Sequence, residues 1–164
     1  MHYKNYKFSI EETTNKNLLE AYHSIKIYSN KINENILLLS LYGGGSFSLY
    51  LQDRFFYLTI DDETKRISSF DGEITNKKIK SLKLKLPNVI KEAILTLHTD
   101  DNLCPGTGCY IEFNTANIAY DKEQKILQIG NINFKEITYK FFNNAYTQIK
   151  NGELTGLLFT EIEL

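Results

Sequence analysis

Alternation of apolar and polar residues constrains this chain more than any other feature. Phe47, Leu49 and Leu51 alternate with Ser48 and Tyr50, Phe56, Leu58 and Ile60 with Tyr57 and Thr59, and Leu82, Leu84 and Leu86 with Lys83 and Lys85. A period of two places alternate side chains on opposite faces of a strand, one face buried and the other in water. Strands of this kind must pair and must bury their apolar face against a second layer. The pattern therefore predicts an α+β fold, mainly antiparallel β, sandwich-like and rich in hairpins.

Turn chemistry divides the pattern into elements. Gly43-Gly44-Gly45 is expected to supply positive φ angles in a turn joining a strand at Ile36 to Tyr42 with the strand at Phe47 to Leu51. Asp61 to Lys65 reads as a hairpin loop between Phe56 to Ile60 and Ile67 to Phe70. Ser81 to Leu86 is the clearest strand by pattern, with a lysine row suited to guarding a sheet edge. Val89 to Leu97 satisfies both helical and strand periods and stays open. Tyr110 to Phe113, Ile118 to Tyr120, Ile126 to Ile129 and Leu154 to Leu164 read as further strands. The loop Asp121 to Lys125 repeats the D-x-E-x-K of Asp61 to Lys65. So short a match in polar loops arises readily by chance, so convergence on a good turn is preferred to duplication.

One C-terminal helix is predicted near residues 134–150. Asn133 and Glu136 resemble a capping box, Ile137, Phe141, Ala145 and Ile149 recur every four residues, and Gly152 suits the left-handed position past a helix end. A second helix fits Asn15 to Ile25, where Leu18, Tyr22 and Ile25 share a face. No linker or charge block divides the chain, and residues 1–164 read as a single domain.

Composition excludes several classes. With 42% apolar and 24% charged residues, 11 Tyr, 10 Phe and two Pro, the chain is neither disordered nor collagen-like. Its longest apolar run, Ile36 to Leu39, is far below the ~20 residues of a membrane helix, and Met1-His2-Tyr3-Lys4 opens no signal peptide. A cytoplasmic protein without membrane contact is expected. A formal charge of -1 gives no basic footprint, so no direct nucleic-acid binding is expected. Arg54 and Arg66 are the only arginines, which disfavours phosphate handling by bidentate forks. Acidic residues outnumber basic ones nine to five after residue 98.

Candidate chemistry is sparse. Cys104 and Cys109 flank Pro105-Gly106-Thr107-Gly108, and His98 precedes Asp100 and Asp101. The four-residue cysteine spacing sits at the edge of the usual zinc range, no second cysteine pair exists and the fourth ligand would have to be a carboxylate, so two free thiols beside a turn is the preferred reading. Gly106-Thr107-Gly108 is read as a turn and not a phosphate cradle, because no Lys-Ser or Lys-Thr follows it. Of His2, His23 and His98, none lies in a catalytic motif. No catalytic residue, metal site or cofactor is predicted. The acidic loops supply the candidate partner-binding residues: Asp61, Asp62 and Glu63, Asp100 and Asp101, and Asp121 with Glu123.

An ordered series of features completes the picture: Leu41-Tyr42-Gly43-Gly44, Phe47-Ser48-Leu49-Tyr50-Leu51, Tyr57-Leu58-Thr59-Ile60-Asp61, Arg66-Ile67 and Phe70-Asp71-Gly72. Pro105-Gly106-Thr107-Gly108, Tyr120-Asp121, Ile126-Leu127-Gln128-Ile129-Gly130 and Asn151-Gly152-Glu153-Leu154 follow. Over residues 35–160 this pattern resembles the small bacterial immunity proteins of contact-dependent growth inhibition and related polymorphic toxin systems. The resemblance implies a non-enzymatic cytoplasmic binder that occludes the active site of a cognate toxin domain, often a nuclease. The alternatives are a small metal-dependent or His98-based enzyme and a β-sandwich module that binds a small ligand or glycan on its aromatic residues.

Overall fold

The computed structural model describes residues 3–41 and 43–164. Strands β1 (Lys7–Glu11) and β9 (Ile94–His98) form a two-stranded antiparallel ribbon. A six-stranded sheet contains β2 (Lys26–Ile32), β3 (Asn35–Leu41), β4 (Phe47–Leu51), β5 (Phe56–Ile60), β6 (Ile67–Thr75) and β10 (Gly108–Ile111), in the order β10-β4-β5-β6-β3-β2. A seven-stranded sheet contains β7 (Ile79–Ser81), β8 (Ile90–Glu92), β11 (Ile118–Asp121), β12 (Ile126–Gly130), β13 (Thr138–Phe142), β14 (Ala145–Lys150) and β15 (Glu153–Phe159), in the order β7-β11-β12-β15-β14-β13-β8.

The two large sheets pack as layers over one continuous core. Phe70 of one sheet meets Phe159 of the other at 4.9 Å between ring centroids, and Leu38, Leu49, Leu58, Leu127 and Ile129 are fully buried in the same cluster. Both sheets use one topology. In β2 to β6 a hairpin, a crossover and a two-hairpin meander place β6 beside β3, and in β11 to β15 the same path places β15 beside β12. Each is a Greek key. The two D-x-E-x-K loops sit at different points of this path, one between β5 and β6 and the other between β11 and β12. In both, the aspartate Oδ1 accepts two backbone N–H groups and the closing lysine, Lys65 or Lys125, takes positive φ. Their unlike positions agree with convergence on one turn.

Several expected elements are corrected. No helix forms near residues 134–150. That stretch is the hairpin β13–β14, and the single α-helix among the described residues, α1, spans Lys16–His23, where Asn15 Oδ1 accepts the Leu18 N–H. The spacing of four that suggested a C-terminal helix joins residues of two different strands, and the local composition, Thr138-Tyr139 and Tyr146-Thr147, is β-prone. Asn151 and Gly152, with φ 54° and 79°, form the tight turn between β14 and β15, so the glycine closes a hairpin and caps no helix. Asn133 uses its side-chain oxygen to accept the Lys135 N–H in a turn.

The glycine run also differs from expectation. Strands β3 and β4 are not paired, and Gly43 to Gly45 cross the end of β5 and β6 without positive φ. A Cβ on Gly43 would lie 2.2 Å from the Ser68 carbonyl oxygen, and one on Gly45 would lie 2.6 Å from Ser68 Oγ. Close approach of backbones, not turn geometry, demands glycine there. The run at Val89 to Leu97 becomes two strands in different sheets, parted at Ala93. Ser81 to Leu86 is a strand only at its start. Its remainder is a strap in which Leu84 and Leu86 pack on Ile126, Tyr146 and Leu158, covering the outer face of the seven-stranded sheet. Paired backbone on one side and apolar side chains below explain why alternation there mimics a full strand. No helix among the described residues is long and apolar enough to cross a membrane.

Candidate protein-binding face

The outer face of the six-stranded sheet is crossed by Gly43 to Gly45 at its Thr59 and Ser69 end and keeps exposed apolar residues elsewhere. Its exposed character follows from β3, where Ile36 and Leu38 point into the core and Leu37, Leu39 and Leu41 point outward by the pleat. Leu39 and Leu41 are 42% and 44% exposed, and Tyr28 and Ile32 on the adjacent edge strand are 44% and 49% exposed. A single row of side chains crosses all six strands in register: Tyr110, Tyr50, Tyr57, Asp71, Leu39 and Tyr28. Tyr3 extends it through a bridge to Tyr110. With neighbouring strands ~4.8 Å apart, six strands make a platform roughly 24 Å across.

The rings are mutually supported. Tyr50 stacks on Tyr110 at 5.0 Å, Tyr50 and Tyr57 meet at 5.7 Å, and Tyr3 meets Tyr110 at 5.9 Å. Such contacts hold large amphipathic side chains in place before any partner arrives, which lowers the ordering cost of binding. Grouped exposed apolar residues, here Tyr28, Ile32, Leu39 and Leu41 beside the partly exposed tyrosines, are a feature of interaction surfaces. Here the two sheets share one topology, so the covered face of one serves as a comparison for the open face of the other.

Charge on the platform is sparse and mostly engaged. Lys26 pairs with Glu161 at 3.2 Å and lies over the Tyr28 ring, and Glu73 accepts the Asn35 side-chain amide at 2.9 Å. Asp71 sits in the aromatic row, half-buried, with no cation in ion-pair reach among the described residues. Burial holds its carboxyl above the usual carboxylate range, opposed by a hydrogen bond from the Ser40 backbone. Burial, and next the charge of Asp71, raises the neighbouring Tyr57 phenol as well.

The acidic candidates divide into two places. Asp61 to Glu63 and Asp100 to Asp101 are neighbours: Lys65 Nζ donates to the Thr99 carbonyl, and the Leu97 N–H donates to the Lys65 carbonyl at 2.8 Å. Asp121 and Glu123 lie in the β11–β12 hairpin of the other sheet. Several of these carboxylates already have partners. Asp61 Oδ1 accepts the Glu63 and Thr64 N–H groups, which lowers its pKa, and Asp62 accepts the Ser46 hydroxyl at 2.5 Å. Asp101 accepts the Tyr6 hydroxyl at 2.6 Å. Buried Asp121 accepts the Glu123 and Gln124 N–H groups at Oδ1 and the Leu84 N–H at Oδ2, so it anchors the strap and its pKa is lowered. Glu63, Asp100 and Glu123 are exposed and carry no such bonds.

The residues weighed for catalysis are dispersed. His98 is exposed at the end of β9, in register with Lys7, while His23 ends α1 with Nε2 3.4 Å from the Ala93 carbonyl. His2 lies outside the described residues. Cys104 and Cys109 are free thiols, and burial pushes the Cys109 thiol up to about 11. Both border an open depression of about 410 Å³ with Tyr6, Asp101 and Thr107. No group of three or more His, Cys, Asp or Glu among the described residues could hold a metal ion. Gly106, at φ 77°, turns the chain between Cys104 and Thr107.

The row contains none of the acidic loop residues expected to bind a partner. Its one local signal is in β3, where the run Ile36 to Leu39 gives a strand with apolar residues on both faces. Searches with the chain find no matching family model, no matching curated protein and no matching solved structure.

Proposed function

We propose that this protein is an immunity protein that binds a cognate bacterial toxin domain, in the cytoplasm of the cell that carries both, and blocks its active site. The uncovered aromatic face of the six-stranded sheet is the observation that carries the reading. A platform of stacked tyrosines flanked by Leu37, Leu39 and Leu41 supplies what interface centres use, namely rigid aromatic anchors within a partly apolar patch. The sequence resemblance points to the toxin as the class of partner. Glu63, Asp100 and Glu123, exposed in loops, add negative charge suited to steering toward a basic surface such as a nuclease groove.

The test is genetic and biochemical together. The product of the neighbouring upstream gene, produced alone, should arrest growth, and co-production of this protein should restore it and yield a one-to-one complex on co-purification. An upstream product that is harmless alone, or that neither binds nor is neutralised, rules the reading out.

A further inference from the structure

We infer that the centre of the six-stranded platform is a receptor for an arginine side chain of the protein partner, with Asp71 accepting the guanidinium and the adjacent Tyr57 offering a ring beside it. The inference rests on the reading of this face as a partner-binding surface and names the chemistry that the partner must present.

Three features of the platform converge on it. Asp71 lies between Tyr57 and Leu39 in register, so its carboxylate is set among side chains that displace water. A partly desolvated carboxylate without a cation costs stability, and the loss is recovered when a cation arrives from outside. Lys26 of this face is paired with Glu161, and Glu73 is exposed and hydrogen-bonded to Asn35, which leaves Asp71 as the half-buried carboxylate without a cation. The neighbouring Tyr57 ring adds the attraction of an aromatic face for a cation.

Charge and shape select the occupant. Arginine fits better than lysine because its guanidinium is planar, weakly hydrated, able to stack on a ring and able to bind a carboxylate through two parallel N–H groups. A second copy of this chain fits poorly, since a two-fold contact through the middle of the platform would oppose two Asp71 carboxylates. A nuclease toxin, whose substrate groove must be basic, can present such a side chain.

The experiment uses the full chain, isotope-labelled, titrated with N-acetyl-arginine amide and, separately, with the lysine and citrulline analogues. One ion pair with ring stacking corresponds to dissociation constants on the order of 10 mM. Saturable shifts are expected at the Asp71 carboxyl and the Tyr57 ring, strongest with arginine and absent with the uncharged citrulline amide. Asp71→Asn should abolish the response while keeping the fold, with a melting temperature at neutral pH equal to or above that of the parent. Glu20→Gln, on the exposed side of α1, should leave the response intact.

An equal response in Asp71→Asn, an equal response to citrulline, or no saturable shift overturns the inference. Sedimentation showing a dimer with the platform covered also overturns it. The outcomes separate from those of the toxin reading. Saturable arginine binding at Asp71 with no binding by the upstream product supports the receptor and removes the toxin. Tight binding of that product, unchanged in dissociation rate by Asp71→Asn, removes the receptor and leaves the toxin reading in place.

Discussion

Replacing Asn144 with alanine removes one side chain that ties three segments together. Asn144 is fully buried in the turn between β13 and β14, where Oδ1 accepts the Ile27 N–H at 2.8 Å, and Nδ2 donates to the Ile27 and Thr160 carbonyls, each at 2.8 Å. It thereby joins the edge strand of one sheet to the other sheet and to the C-terminal segment. Three hydrogen bonds at ~1 kcal/mol net give a loss of about 3 kcal/mol, and the groups left without partners push it higher. In a chain of this size the expected fall in melting temperature is roughly 6 to 12 °C. Urea unfolding of Asn144→Ala beside Asn143→Ala provides the assay. Asn143 is exposed and bonds the Ile25 carbonyl through its backbone N–H, so its truncation should cost within about 0.5 kcal/mol. A loss below about 1 kcal/mol for Asn144→Ala would refute the argument that this side chain holds the sheets in register.

Three further outcomes follow from the same geometry. Gly43→Ala should lower the urea midpoint clearly while Gly44→Ala leaves it nearly unchanged, because a Cβ on Gly43 meets the Ser68 carbonyl at 2.2 Å and one on Gly44 meets nothing within 4 Å. Glu11, held down chiefly by its fork with Arg66, and Asp61 and Asp121, held down by backbone N–H groups, have folded pKa values below the unfolded ones. Their contribution to stability is complete above the ordinary carboxylate range of ~4 and is lost as pH falls through the lowered values, so urea midpoints should fall steeply below about pH 4, and less steeply in Arg66→Met. Glu63→Lys with Asp100→Lys should slow association with the toxin domain, as should added salt, because exposed charges are screened beyond ~8 to 10 Å. Asp61 is left out of that variant because its carboxylate caps its own turn, and dissociation rates measured by biolayer interferometry should stay constant.

Local signals in the sequence conveyed part of this molecule. Alternation located β4 and β5, Asp-led loops located two hairpins, and the shared face of Leu18 and Tyr22 located α1, because in each case a few nearby residues decide the outcome. The C-terminal helix failed because spacing at four recurs by coincidence across β13 and β14, while Asn151-Gly152, a strong hairpin signal, was assigned to a helix end. Leu82 to Leu86 misled for a different reason: a strap that covers a sheet face needs the same alternation as a strand within a sheet. The sandwich pairing and the shared Greek-key path depend on contacts such as Phe70 with Phe159 and Ile27 with Asn144, which no local pattern encodes. The aromatic row has the same origin. Tyr110, Tyr50, Tyr57 and Tyr28 are scattered in sequence and align only through strand register.

Hydroxyl-radical footprinting of the complex tests the central claim, that the open face of the six-stranded sheet is where the partner sits. Oxidation of Tyr28, Leu39, Leu41, Tyr50, Tyr57 and Tyr110 should fall sharply when the proposed toxin partner is bound, while oxidation of exposed Leu82 and Ile137 on the far layer stays the same. Protection of the far-layer residues, with the tyrosine row as reactive in the complex as in the free protein, would contradict the account.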